Sequence, residues 1–462
     1  ECKVSLSKQK KNRYEIDMCN GSVMDKLISF SIPLMLSGIL QLLFNAVDII
    51  VVGRFTGSHA LAAVGSTTAL INVFTNLFIG VSLGANVLAA RFYAANRERE
   101  MSETVHTAIT FALISGVVMV FVGLLFSRGA LELMDTPADV IEQSTLYMRI
   151  YFSGMPFFMM YNYGAAILRA VGDTKRPLMF LIVAGITNAL LNLVLVIVFH
   201  MGVAGVAIAT VIAQMISCVL VLRCLYKTDS CYQLRFSKMM LKWDYLKQIF
   251  QVGIPAGIQS TVINFSNVLL QSSVNSFGSV AMAGYTAANN IFGFLFASVN
   301  SITQACMSFT SQNYGVGKWK RMDKVLRNCI LLSVVVSVIL GGSSYVFGPE
   351  LLKIYTSDQA VIQCGMEILL YTTVTYFMCG LMDLFPGALR GMGYSAVPML
   401  LSVIGTVGTR VVWIYLIFPK HRALDVLFIS YPASWLVTII LQVICYYFVR
   451  KRVKKKFLNV QD

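Results

Sequence analysis

Long apolar runs follow one another along almost the whole chain and constrain its fold more than any other feature. Runs of about 20 residues, separated by charged or Gly- and Pro-containing segments, are long enough to cross a bilayer as helices. Apolar residues make up 57% of the 462 residues and charged residues only 13%, about half the usual charged share. Because so few polar residues cannot form a water-exposed surface, the sequence predicts an integral membrane protein and excludes soluble enzymes and nucleic-acid-binding proteins.

The apolar runs predict an all-α fold with twelve transmembrane helices. The predicted helices lie roughly at residues 27–52, 61–90, 104–126, 140–168, 177–199 and 202–226, and then at 245–273, 281–312, 324–346, 362–388, 396–418 and 424–449. Thirty of the 37 Lys and Arg residues fall on one side of these helices, six fall on the other, and Arg410 lies inside a helix. Since basic residues stay on the cytoplasmic side, both termini are expected to be cytoplasmic, in a multi-pass protein of the cell membrane.

An internal repeat divides the chain into two pseudo-symmetric six-helix bundles. The motif L-R-x-x-G-x-x-x-x-P occurs at residues 168–177 and again at 389–398, an offset of 221 that Gly57 and Gly278 also keep. The expected parts are an N-terminal cytoplasmic segment (1–23), an N-lobe (24–226), a cytoplasmic linker (227–244), a C-lobe (245–449) and a basic cytoplasmic tail (450–462). Each lobe has an even number of helices, so both have the same orientation and face each other across a cleft, as in rocking transporters.

Asp48 is an acidic residue in an otherwise uncharged predicted helix, about fifteen residues past Pro33. A charge at that depth costs roughly 2.5 to 3.5 kcal/mol on insertion scales, so it requires a partner, an aqueous cavity or a proton. Asn45 precedes it by about one helical turn and Gln41 by about two, which places three polar groups along one stripe. The stripe is either a functional proton-carrying site or hydrogen-bonding contact between helices.

These features together resemble the MATE (multidrug and toxic compound extrusion) family. The resemblance covers roughly residues 24–449 and rests on the two six-helix halves, the spacing Pro33-x14-Asp48, an N-x-x-x-N stripe in the fifth helix and the paired L-R loops. It implies a secondary transporter. In the DinF-like, proton-coupled branch, the first-helix aspartate exchanges protons within a cluster of polar side chains. The ion-coupling residues that this implies are Asp48, Asn188, Asn192 and Thr210, with Asn45 beside them.

Position 192 departs from that branch, where an aspartate is frequent. With Asn192 the cluster has one acid, and an amide oxygen can ligate Na⁺ as well as a carboxylate can. The coupling ion is therefore expected to be either H⁺ or Na⁺, with a possible Na⁺ site formed by Asp48, Asn188 and Asn192.

Other side chains are candidates for the substrate cavity. Asp383 occupies the tenth helix, where a NorM-like branch of the same family has a sodium-binding acid, and Arg410 is predicted to pair with Asp383, contact an anionic ligand or extend toward a helix end. Soft methionine side chains suit a cavity that accepts many shapes, although most methionines are ordinary packing. The cavity candidates are Gln41, Met155, Met159, Gln259, Asn264, Asp383 and Arg410.

The sequence contains no motif for ATP, dinucleotide or metal binding. Gly315-Val-Gly-Lys318 is followed by Trp319 and is not a P-loop, so no enzyme activity and no cofactor is expected. The function predicted is export of amphipathic, often cationic compounds by a monomer, through antiport against H⁺ or Na⁺ and alternating access. Its partners would be these small molecules and membrane lipid, with no nucleic acid. A flippase for a lipid-linked saccharide is the alternative, and a membrane scaffold is the least favoured.

Overall fold

The computed structural model describes residues 13–134 and 136–458, and within those ranges the chain is helical and contains no strand. Four of the basic residues counted above lie outside the described residues, namely Lys3, Lys8, Lys10 and Lys11. The end of the predicted tail, at 459–462, lies outside them as well. In the N-lobe the first to sixth spans are Val23–Phe55, Ser58–Ala94, Glu98–Leu133, Ile141–Ser153 continued by Met155–Ala170, Lys175–Val198 and Gly202–Tyr226. In the C-lobe the seventh to twelfth spans are Trp243–Asn275, Ser279–Gly315, Trp319–Val346, Gln359–Thr373 continued by Tyr376–Gly391, Ala396–Ile417 and Leu424–Leu458.

The twelve predicted helices correspond to these twelve spans, which confirms the fold class. Among the described residues, nine helices are individually long and apolar enough to cross a membrane, and the tenth span qualifies as a pair bent by 44°. The fourth span is interrupted at Gly154, which leaves two pieces of 13 and 16 residues. Most helices extend beyond the predicted ends because charged residues continue the helix past the hydrocarbon layer. A short helix, Gly348–Lys353, precedes the tenth span, and a 3₁₀ turn, Phe236–Lys238, lies in the linker.

The repeat appears in the backbone of the loops as well as in the sequence. Gly57 and Gly278 precede the second and eighth spans, and both have φ of 98°. Gly172 and Gly393, in the two L-R loops, have φ of 95° and 93°. Each pair keeps the offset of 221. Because glycine adopts this left-handed conformation without the steric cost of a Cβ atom, the same turns form at equivalent places in both lobes.

The two lobes touch through glycines of the second and seventh spans. A Cβ atom at Gly84 would lie 2.1 Å from the carbonyl oxygen of Ile249, and one at Gly80 would lie 2.3 Å from the backbone nitrogen of Gly257. The absence of side chains lets the two helix backbones come into direct contact, as small residues do between membrane helices. We call the line of contacts between the two lobes the seam. It includes these glycines and extends along the second span toward the side of the chain termini.

Hydrogen bonds between the lobes extend this seam past the glycines, toward the C-terminal end of the second span. The Ser308 hydroxyl donates to Asn86 Oδ1 at 3.0 Å, and the Ser311 hydroxyl donates to the carbonyl of Val87 at 2.6 Å. The guanidinium of Arg91 lies over the ring of Tyr314, 4.7 Å from its centroid. Since the second span rises about 1.5 Å per residue, the seam from Gly80 to Ala94 is about 20 Å long. The lobes are therefore closed against each other on the side of the termini.

The segment before the first span, residues 13–22, lies across both lobes at the same side. The carboxylate of Glu15 accepts hydrogen bonds from the hydroxyls of Tyr93 in the N-lobe, at 2.8 Å, and of Tyr232 in the linker, at 2.6 Å. The backbone oxygen of Met18 accepts from Nε of Arg321 in the C-lobe at 3.1 Å. This segment is therefore packed structure that joins the lobes.

The glycine contact predicts a specific sensitivity to added side chains. Gly84→Ala places a methyl group against the Ile249 backbone, so it should destabilise the folded protein by about 1 to 3 kcal/mol, as overpacking does. Gly65→Ala is the matched control, because Gly65 lies in the same span and its Cβ position has nothing within 4 Å. This substitution should stabilise the folded protein by at most about 1 kcal/mol. Melting temperatures of the detergent-solubilised variants measure both effects, and equal values for the two would contradict the close contact.

Candidate functional site

A cluster of polar side chains surrounds Asp48 inside the N-lobe. Asn188 Nδ2 donates to Asp48 Oδ1 at 2.9 Å, and Asn192 Nδ2 donates to the same oxygen. The Thr210 hydroxyl donates to the carbonyl of Val206 at 3.0 Å and is also within hydrogen-bonding reach of the Asp48 carboxylate. The structure thus brings together four of the predicted ion-coupling residues from the first, fifth and sixth spans. We call these four residues the Asp48 cluster.

Close packing of the first and fifth spans places the cluster. A Cβ atom at Gly185 would lie 1.8 Å from Cε2 of Phe44, so only glycine lets the Phe44 ring sit against the fifth span. Asp48 follows Phe44 by one turn, and Asn188 follows Gly185 by about one turn, which brings the carboxylate opposite the amide. Directly after Asn192 the fifth span becomes a π-helix at Val194–Val198, a distortion that is frequent at functional sites.

Two tyrosines of the fourth span also interact with Asp48, and the sequence analysis did not identify them. Tyr147 and Tyr151 lie close enough to Asp48 for an electrostatic interaction, and their rings stack with centroids 6.2 Å apart. Their spacing of four residues indicates a common helix face. It did not indicate that this face is directed at Asp48, because that depends on the rotation of the fourth span.

The amide oxygens of the Asp48 cluster are buried and have no hydrogen-bond partner. This holds for Oδ1 of Asn188 and Oδ1 of Asn192 within the described part of the chain. The oxygen and nitrogen of an amide differ little in shape, so a half-turn of either side chain presents an acceptor to Asp48 where a donor now lies. The cluster can therefore hold a charged carboxylate with the N–H groups, or a proton or cation with the oxygens.

Asn45 and Gln41 lie outside the cluster, although both precede Asp48 on the same span. Their side chains are exposed, and no hydrogen bond joins either of them to Asp48 among the described residues. Asn264 of the seventh span is likewise exposed.

The two predicted cavity methionines lie in the packed core of the N-lobe. Met155 is 0% exposed and Met159 is 1% exposed, and the Ser115 hydroxyl donates to the Met159 sulfur at 3.5 Å. Their thioethers fill space between the third and fourth spans, where a Cβ atom at Gly116 would lie 2.4 Å from Cα of Pro156. The structure therefore corrects the expectation that they line an open cavity.

In the C-lobe, Gln259 and Asp383 meet at an arginine of the repeated loop motif. Nη2 of Arg390 donates to Oε1 of Gln259 at 2.7 Å, and the Arg390 charge interacts with the carboxylate of Asp383, which lies two turns earlier on the same span. Arg390 was recognised from sequence only as part of the repeat. The structure gives Asp383 this basic neighbour.

Arg410 is enclosed in a separate polar pocket of the C-lobe. Its side chain is only 3% exposed, and its guanidinium carbon lies 4.7 Å from the centroid of the Tyr431 ring. Its hydrogen-bond acceptors are Ser266 Oγ at 3.1 Å and Asn267 Oδ1 at 2.8 Å, both from Nη1, and Ser434 Oγ at 3.3 Å from Nε. Two expectations are thereby corrected, because Arg410 forms no ion pair with Asp383 in the described structure and does not extend toward a helix end.

Duplicated six-helix membrane bundles, with buried charged clusters inside the lobes, define the class as a polytopic membrane transporter. The sequence profile of the family described as MatE matches residues 33–194 and 255–416, one match in each lobe. The chain belongs to the MATE family. The two matches have the same length, so the profile covers one lobe at a time.

Individual relatives agree with this family. The probable multidrug resistance protein YoeA of Bacillus subtilis (strain 168) is 30% identical over 442 residues, which cover 93% of this chain and 95% of YoeA. The multidrug export protein MepA of Staphylococcus aureus (strain NCTC 8325 / PS 47) is 22% identical, over 88% of this chain and 94% of MepA. A solved MATE family multidrug resistance transporter in an outward-facing conformation has the same fold, with a TM-score of 0.89, 19% identity, and coverage of 96% of this chain and all of the other. The chain is thus a multi-pass membrane protein of a transporter family that needs no cofactor, and it is not an enzyme.

The hydrogen bonds to Asp48 predict that the amides stabilise the N-lobe. Asn192→Ala removes one of the donors to a buried carboxylate and should cost about 1 to 3 kcal/mol of stability, the value of a hydrogen bond to a charged group. Asn162→Ala is the control, because among the described residues Asn162 Nδ2 donates only to the Phe158 carbonyl on its own helix, at 2.8 Å. Thermal unfolding in detergent compares the two, and an Asn192→Ala variant as stable as Asn162→Ala would show that the amide does not hold Asp48.

Proposed function

We propose that this protein exports amphipathic, often cationic compounds by antiport against H⁺ or Na⁺, with Asp48 as the ion-binding residue. The observation that carries the proposal is the buried Asp48 carboxylate, held by the amides of Asn188 and Asn192 between spans of one lobe. A lone acid at this depth must exchange its charge for a proton or a cation, or be paired. The names of YoeA and MepA, which refer to multidrug resistance and multidrug export, support drug-like compounds as the cargo.

The amides supply the two states that antiport requires. With the carboxylate ionised, the N–H groups of Asn188 and Asn192 donate to it. When a proton or Na⁺ binds, the amide oxygens, which are buried and unsatisfied, turn to accept from the carboxyl hydrogen or to ligate the cation. The ion-bound and ion-free lobes therefore differ in the side-chain packing between the first and fifth spans.

The first span carries this difference to the C-lobe. It contains Pro33, which has no N–H to donate to the carbonyl of Ser29 and so weakens the helix at that turn. The Ser37 hydroxyl donates to the Pro33 carbonyl at 2.8 Å, a contact that can also bend a helix. One residue later, the Cβ position of Gly38 lies 3.1 Å from Cβ of Ala297 in the eighth span. Bending of the first span near Pro33 or Gly38 changes this contact and so couples ion binding to the relative position of the lobes.

Alternating access then consists of opening and closing the seam between the lobes. The distribution of Lys and Arg supports a cytoplasmic location of both termini. In that orientation the closed seam faces the cytoplasm and the cleft opens outward across the cell membrane. Gln41, Asn45 and Asn264 are exposed at membrane depth, where an amide in contact with lipid is unfavourable, and they line the water-filled cleft. One chain contains both lobes, so the unit that transports is a monomer.

Replacing Asp48 tests the coupling directly. Asp48→Asn keeps the size of the side chain but cannot exchange a charge, so gradient-driven efflux of the cationic dye rhodamine 6G from proteoliposomes should be abolished. Asp25→Asn is the matched control, since Asp25 is an exposed acid in the first turn of the same span, and it should retain efflux. Separately imposed pH and Na⁺ gradients identify the coupling ion.

Two outcomes of this experiment would contradict the proposed function. Efflux by Asp48→Asn equal to that of the wild type would refute the assignment of Asp48. If the wild type showed no efflux under either gradient, the flippase for a lipid-linked saccharide would become the better interpretation.

A further inference from the structure

Arg410 is a buried cation without an acidic partner. Its side-chain partners in the described structure are hydroxyls and an amide, and no Asp or Glu of that part of the chain forms an ion pair with it. A charged group removed from water without a counter-charge is strongly unfavourable, even when it is hydrogen-bonded. The seventh and twelfth spans supply the guanidinium with neutral acceptors and an aromatic ring but with no charge. The missing counter-charge is therefore expected from outside the chain.

The guanidinium is held in one orientation with one edge unoccupied. Asn267, Ser266 and Ser434 accept from Nη1 and Nε. The ring of Tyr431 covers one face, and the Tyr431 hydroxyl is itself hydrogen-bonded to the hydroxyl of Tyr285 at 2.8 Å. The two N–H groups of Nη2 have no acceptor among the described residues. A fixed guanidinium edge with free donors matches the geometry of a carboxylate and also binds a halide.

The internal repeat allows the Arg410 pocket of the C-lobe to be compared with the Asp48 cluster of the N-lobe. At the offset of 221 that Gly172 and Gly393 keep, Asn188 corresponds to Thr409, the residue just before Arg410. The N-lobe thus has a carboxylate among neutral amides, whereas the C-lobe has a guanidinium among neutral hydroxyls and an amide.

The backbone around Arg410 is distorted as it is beside Asn192. Residues Val403–Gly408 and Trp413–Ile417, on either side of Arg410, are π-helical, like Val194–Val198 after Asn192. Such turns are uncommon and are retained mostly where a functional group has to be presented. In both lobes a distorted segment therefore lies beside a residue of a buried polar cluster, which is the neutral Asn192 next to Asp48 in the N-lobe and Arg410 itself in the C-lobe.

We propose that Arg410 is the centre of a small-anion site in the C-lobe, which binds a carboxylate or halide during transport. The anion is either the carboxylate of a zwitterionic amphipathic substrate or a free chloride ion, and both would bind the Nη2 edge of the guanidinium. The part of this proposal that concerns substrate rests on the proposed export function. Anion binding at Arg410 does not depend on the proposed export function. It does not depend on which ion binds at Asp48 either.

A binding experiment tests the site on the full-length protein in detergent. Sodium chloride and sodium formate are titrated at constant ionic strength, and melting temperature and tryptophan fluorescence are recorded. Trp435 is a suitable reporter, because its ring lies 5.7 Å from that of Tyr431. The wild type should give saturable responses.

Substitutions at Arg410 then test whether the guanidinium is responsible. Arg410→Met, which removes the charge at similar length, should lose the response, and Arg410→Lys should bind about ten- to hundredfold more weakly, the value of a charge-assisted hydrogen bond. Arg223→Met, at an exposed arginine near the end of the sixth span, is the control and should keep the response. No saturable response in the wild type, or an equal response in Arg410→Met, would overturn the site.

A transport experiment distinguishes the two sources of the anion. Rhodamine 6G, a cationic ester, and its free acid, which carries a carboxylate, form a matched pair of dyes. If the substrate provides the anion, Arg410→Met should lower efflux of the free acid relative to the ester. If chloride provides it, replacing chloride by a large organic sulfonate should slow efflux of both dyes in the wild type but not in Arg410→Met. An unchanged dye ratio together with no chloride dependence would refute a role of the anion in transport.

The Asp48→Asn variant separates this proposal from the proposed function. It should retain the anion response, because Asp48 lies in the other lobe, while it loses gradient-driven efflux. In the wild type, an anion response without gradient-driven efflux would mean that the proposed function has failed, whereas efflux without an anion response would mean that the anion site has failed.

Discussion

The cost of placing charge inside a membrane protein governs the interior of both lobes. In an aqueous protein, Asp48 and Arg410 could be solvated by water, but here each is enclosed by helices and surrounded by neutral hydrogen-bonding groups. Such groups stabilise an ionised side chain only in part, so each site remains open to an exchangeable ion of the opposite charge. Both the ion coupling proposed for Asp48 and the anion binding proposed for Arg410 rest on this incomplete compensation.

The contact between the lobes follows from a different constraint. Helix association in a membrane relies on close packing, since lipid is as apolar as the helix surfaces. Glycines such as Gly84 and Gly253 let the second and seventh spans touch along their backbones, and Asn86 and Ser308 add a buried hydrogen bond. The contact between the lobes is thus formed by small residues and buried hydrogen bonds, and the proposed alternating access would open and close it.

Much of the fold could be predicted because it depends on composition along the chain. The apolar runs marked all twelve spans, and the L-R motif marked the repeat. Helix breaks were not predicted: the interruption at Gly154 and the bend of the tenth span depend on packing against neighbouring helices. For the same reason Met155 and Met159, which looked like cavity residues, are buried in the N-lobe core.

The sequence by itself determined the membrane class, the duplication and the stripe of Asn188 and Asn192, because apolar length and helical spacing are local properties. Only the tertiary structure decided which polar groups meet. It brought Asn188 and Asn192 to Asp48 through the Phe44–Gly185 contact, joined Gln259 to Arg390, and left Arg410 among hydroxyls instead of beside Asp383. The physical reason is that the partners of a buried side chain depend on the rotation and closeness of neighbouring helices, which arise from packing between residues far apart in the chain.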